Sequence, residues 1–165
     1  MSPDDEWLEH VEYLAEKATM PIELIEHMQK HIGDAGSVVS WHAAFENTQN
    51  KNMALMYPEK QKFLQGLIDR TMDLEDPFKE GYVDIQFQGS TSIKKVLPAL
   101  VPELDYSGMK VASGTDAMEA WHRLVGLPDG PAKDELKASM LEYCKLDTLA
   151  MVRIFNFLEE LNNRS

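Results

Sequence analysis

Long apolar runs are missing from this chain, and no segment approaches the roughly 18 consecutive apolar residues that a membrane span needs. Cysteine is nearly missing too: Cys144 stands alone, which excludes an internal disulfide and a cysteine zinc cluster and makes the cytoplasm the default compartment. Positive charge is scarce, with 16 Lys and Arg against 28 Asp and Glu, for a net charge of −12. Such a balance opposes a non-specific grip on DNA or RNA. It leaves room for a metal-dependent nuclease, where bound cations neutralise the phosphate. A glycine-rich phosphate loop, an internal repeat and a low-complexity tract are all lacking, and Met1-Ser2-Pro3-Asp4-Asp5-Glu6 has no apolar core, so no signal peptide is expected. What remains is 165 residues with 44% apolar and 27% charged side chains, which reads as one soluble globular domain over 1–165.

Punctuation and periodicity divide the chain. Ser2, Pro3 and three acids start a helix that Trp7, Leu8, Val11, Leu14 and Ala15 continue at helical spacing. Pro21 opens a second, with Ile22, Ile25, Met28 and Ile32 on one side and Gly33 as its stop. Ser37-Val38-Val39-Ser40-Trp41 is short, β-branched and aromatic, and reads as a buried strand. His42-Ala43-Ala44-Phe45-Glu46 begins a helix close against it. Pro58 starts another through Ile68, and Thr71-Met72-Asp73-Leu74 is a short extended piece. Residues 75–88 read mostly as loop. Ser90-Thr91-Ser92 caps a helix with Ile93, Val96 and Leu97, which Pro98 bends or shortens. Gly114-Thr115-Asp116 opens one more through Met118, Trp121 and Leu124, and a long helix closes the chain over about residues 133–161. The fold class expected is α/β, predominantly helical, with few strands.

The closing helix carries an oddity. Stepping from Leu136 at 100° per residue, Met140, Cys144, Met151, Ile154, Phe155 and Leu158 fall within about a third of a turn, and Asp147 falls among them. A charge aimed at a core is costly without a partner, a cap or a metal. Two readings stay open: a structural acid paired with a cation or with backbone N–H groups, or a metal-binding carboxylate with Tyr143, one turn earlier, orienting a water.

Three stretches together carry a resemblance: Val38-Val39-Ser40-Trp41-His42-Ala43-Ala44-Phe45-Glu46, Gly89-Ser90-Thr91-Ser92-Ile93-Lys94-Lys95-Val96-Leu97-Pro98, and Tyr143-Cys144-Lys145-Leu146-Asp147-Thr148. Over about residues 8–158 the chain resembles a bacterial family known only as a domain of unknown function. That family is itself similar to the proofreading-type 3′-5′ exonucleases of ribonuclease H-like fold. The resemblance implies four acids from three motifs around two Mg²⁺ or Mn²⁺ ions. Glu46 matches the second-motif acid, with His42 where Asn is usual, and Tyr143 and Asp147 match the third motif of the tyrosine branch. Glu46 and Asp147 are then the metal ligands, Glu46, Tyr143 and Asp147 the catalytic set, and His42 and Lys94 face the substrate. The first motif, an Asp-x-Glu pair on an opening strand, has no counterpart. Asp4-Asp5-Glu6 has the spacing but begins a helix. The chain thus resembles the later two thirds of an incomplete ribonuclease H-like domain, a fragment that binds no metal well and is inactive alone.

Against this stands a different class of function, a helical interaction or scaffold module whose acids are structural. Other side chains have plainer roles: His27 and His31 read as an exposed pair, Tyr13, Trp7 and Trp121 as core anchors, and Cys144 as an inert thiol within the apolar stripe. The strand around Val38 and Val39 leaves an unpaired edge and an uncovered apolar face, from which a homodimer is expected.

Overall fold

A computed structural model describes residues 8–164. Among them are seven α-helices and one parallel sheet of two strands: α1 (Ile22–Ile32), β1 (Val38–Ser40), α2 (Ala43–Met56), α3 (Gln61–Asp69), β2 (Thr71–Asp73), α4 (Asp76–Glu80), α5 (Ile93–Leu100), α6 (Gly114–Gly126) and α7 (Pro131–Arg164). Short 3₁₀ turns at Pro58–Lys60 and Ile85–Phe87 join neighbours. No helix of the described residues is long and apolar enough to cross a membrane.

The sheet is one β-α-α-β unit. Parallel strands cannot be joined by a hairpin, and α2 and α3 supply the crossover. Val38 pairs with Thr71, Val39 with Met72 and Ser40 with Asp73. Arg70, just before β2, donates from its guanidinium to the carbonyls of Gly33, Ala35 and Gly36, which ties the turn ahead of β1 to the start of its partner strand. Side chains alternate across a strand, and β1 uses both faces. Val38 joins a small core of Ile25, Phe63, Leu64 and Leu67 from α1 and α3. Val39 and, just beyond the strand, Trp41 pack against the larger core that α4 to α7 build around Phe78, Val96, Leu97, Leu124 and Ile154.

Gly33, at φ 64°, ends α1 where the sequence places its stop. Ser113 caps α6 by accepting from the N–H of Asp116. Two expectations give way. Residues 8–20 are not helical. Their fixings are long-range: Leu14 packs on the larger core, the Ala15 carbonyl accepts from the Trp121 indole at 2.8 Å, Glu16 pairs with Lys137, and the Tyr13 hydroxyl donates to Glu23. A short helix is marginal by itself, so such contacts override its periodicity. The capping cluster Asp4-Asp5-Glu6, with Ser2, Pro3 and Trp7, lies outside the described residues. Second, 75–88 is not mostly loop. It holds α4 and a 3₁₀ turn because Phe78 and Phe87 are buried and stack edge to face at 5.9 Å.

Candidate functional site

The functional question turns on α7, about 50 Å long at 1.5 Å per residue. Its buried row is Met140, Tyr143, Ala150 and Ile154, with Asp147 half-buried at the step between Tyr143 and Ala150. The apolar stripe is therefore rotated from the one expected: Cys144 and Phe155 are exposed, and Tyr143 and Ala150 take the inward positions. A three-four spacing from Met140 fits this row better than a window centred on Leu136. Asp147 keeps its place on it.

Asp147 has a partner that the sequence did not reveal. The hydroxyl of Tyr106, in the loop between α5 and α6, donates to Oδ1 of Asp147 at 2.6 Å. Tyr106 is buried, and its ring lies 6.1 Å from that of Tyr143. Burial first, then the hydrogen bond and charge of Asp147, push both phenols well above the usual tyrosine pKa. Both are held in the neutral form. Nothing near Tyr106 in the sequence points to Asp147, which lies 41 positions away.

Glu46 sits in the first turn of α2. It and Asp147 line one open trough of about 1120 Å³, to which β1, α1, α2 and α7 contribute, together with Ile93 of α5. Asn50 and Met53 continue the Glu46 face along α2 into the same space. Glu46 makes no hydrogen bond or ion pair with any described residue. Solvent reaches it through the open side, yet crowding desolvates its carboxyl enough to raise its pKa. Two residues lining the trough bear buried polar atoms without a hydrogen-bond partner, Ser40 Oγ and Trp41 Nε1.

His42 and Lys94 are not among the residues lining this trough. Lys94 is exposed on α5. His42 caps α2 in the left-handed conformation, φ 62°, and its Nδ1 lies 3.2 Å from Oε2 of Glu75. Histidine populates this region more readily than most residues, so the turn suits a His at this place. The turn aims two N–H groups at one carboxylate: Asp73 accepts from His42 and Ala43, each at 3.0 Å, and also from Glu75.

Asp73 and Glu75 form a second acidic group at the end of β2, which sequence reading passed over as an extended piece. Glu75 is 8% exposed and accepts from Thr91 Oγ1 at 2.6 Å. Lys79 lies 2.9 Å from Glu75, 3.2 Å from Asp76 and 3.5 Å from Asp73. For Asp73, burial would raise the pKa, but three N–H donors and Lys79 outweigh it and the net shift is downward. Glu75 shifts down likewise, with Thr91, Lys79 and His42 outweighing burial. The pair has Asp-x-Glu spacing, yet its oxygens are already engaged by the fold.

His27 is half-buried against Tyr13, ring centroids 5.2 Å apart, and only His31 is exposed. Trp121 anchors residues 8–20 as described above. Hard carboxylate oxygens such as those of Glu46 and Asp147 suit Mg²⁺ or Mn²⁺ in kind. In number they fall short: among the described residues no group of three or more His, Cys, Asp or Glu is placed to hold a metal ion.

Comparison with known proteins gives one match. The model of a family described as Domain of unknown function (DUF2779) covers residues 1–92, so that His42, Glu46, Asp73 and Glu75 lie within the matched part and Tyr106, Tyr143 and Asp147 beyond it. No curated protein and no solved structure matches the chain.

Proposed function

We propose, from the premise that this chain belongs to that family of unknown function, that it contributes carboxylates to a two-metal phosphodiesterase site of the 3′-5′ exonuclease type on a ribonuclease H-like fold. The observation that carries the reading is that Glu46 and Asp147, from elements about a hundred residues apart, line one trough while no cation among the described residues pairs with Glu46. Divalent ions held by four carboxylates would activate a water and stabilise the leaving oxygen of a nucleic-acid end. Here Glu46 and Asp147 would offer two of the four, with Tyr143 beside Asp147. Among the described residues the donor set stops at two, so the chain is expected to be inert alone.

A longer polypeptide that adds an acid-bearing segment, assayed with Mg²⁺ and Mn²⁺ on labelled single-stranded DNA and RNA, should shorten strands from the 3′ end. Glu46→Gln and Asp147→Asn should each abolish that trimming. An inert long form with both metals contradicts the reading. A second reading, a helical interaction module, draws support from the phenol that already engages Asp147 and from the exposed apolar rim of the trough at Met20, Ile32 and Met56. Self-association through the open β1 edge belongs to both readings, and a monomer in sedimentation at micromolar concentration would remove it.

A further inference from the structure

We infer that Tyr106 is a positioning residue for Asp147, a role that rests on the reading of Asp147 as a cation-facing carboxylate. A lysine at this place would neutralise the acid and compete with any metal. A phenol does neither: it fixes the carboxylate by one short hydrogen bond and leaves the negative charge in place. With Oδ1 engaged by Tyr106 at 2.6 Å, the carboxylate of Asp147 still has lone pairs to offer a cation. Outer partners of this kind orient a ligand and set its affinity without touching the metal.

The loop that carries Tyr106 is built to hold it still. Val101, Tyr106 and Val111 are its three buried anchors, at 7%, 8% and 3% exposure. Between them the Leu104 N–H donates to the Val101 carbonyl at 2.9 Å, and the Ser107 N–H donates to Asp105 at 2.7 Å. The hydroxyl therefore comes from a fixed platform on the larger core, whereas Tyr143 shares the helix of Asp147 and moves with it. Among the described residues, Tyr106 is the hydrogen-bond partner that ties the carboxylate to a different element.

The test compares Tyr106→Phe, Val111→Ala and Asp147→Asn in the chain as it stands, with Mn²⁺ as the probe. Isotope-edited infrared difference spectra, wild type minus Asp147→Asn, isolate the Asp147 carboxylate without metal. Its band should move in Tyr106→Phe and stay in Val111→Ala, which loosens the same loop but keeps the hydroxyl. Mn²⁺ affinity, read by paramagnetic broadening, should fall roughly tenfold in Tyr106→Phe, vanish in Asp147→Asn and hold in Val111→Ala. An unmoved band in Tyr106→Phe, or equal losses of Mn²⁺ affinity in Tyr106→Phe and Val111→Ala, overturns the positioning role. Absence of Mn²⁺ binding in the wild type overturns the metal reading instead, and the infrared band then still decides whether Tyr106 holds the carboxylate.

Discussion

The acids that follow β2 and the acids that face the trough carry the same charge and are treated in opposite ways by the fold. Asp73 and Glu75 are surrounded by backbone N–H groups, a threonine hydroxyl and the Lys79 ammonium. They close the start of α2 onto the end of β2. Glu46 has no partner among the described residues, and Asp147 has the Tyr106 phenol as its donor in place of a cation. Carboxylates of the first kind stabilise a fold, and those of the second kind cost it something. The contrast separates acids that the fold engages from acids that it leaves open more sharply than their spacing does, since the Asp-x-Glu pair here belongs to the engaged set.

The largest effect should come from breaking the engaged set. Asp73→Ala removes acceptors from three N–H groups and leaves Lys79 less compensated, at an expected cost of about 3 kcal/mol. For a chain of this size that lowers the thermal midpoint by roughly 10 °C, measurable by circular dichroism. A midpoint within a degree or two of wild type would dissolve the distinction.

Acid titration should sharpen it next. The folded pKa values of Asp73 and Glu75 lie below their ordinary ones, so the stability they contribute is present above the unfolded values near about 4 and is lost as pH falls through the folded ones. Thermal midpoints should drop over that window, and Asp73→Asn should flatten the drop. Glu46 has the opposite sign. Its folded pKa is raised, so its ionisation opposes folding once pH climbs past its unfolded value. Glu46→Gln should therefore gain a few tenths of a kcal/mol at pH 7, a small figure because solvent screens an accessible group, and the gain should disappear below about pH 4. Chemical denaturation at the two pH values checks both.

Much of the fold was legible. Pro21 and Gly33 bound α1, the β-branched run at Val38 and Val39 gave β1, and Ser113 capped α6, because these signals act within a few residues. The non-helical course of residues 8–20 was hidden, since it depends on Trp121 and Lys137 more than a hundred positions away. For the site, helical periodicity brought Asp147 inward and placed Glu46 on a first turn, and both reach one trough. Tyr106 was hidden because nothing near it in sequence points to Asp147. The roles given to Asp73 and Glu75 were hidden because they arise from His42 in a left-handed turn, a backbone state that a single residue name does not announce.

Paramagnetic broadening by Mn²⁺, followed at backbone amides across the whole chain, tests the division between the two sets of acids most directly. The account predicts weak, saturable broadening centred on Glu46 and Asp147, lost in Asp147→Asn, with amides around Asp73 and Glu75 unaffected. Broadening centred on Asp73 and Glu75, or none that Asp147→Asn removes, would contradict it.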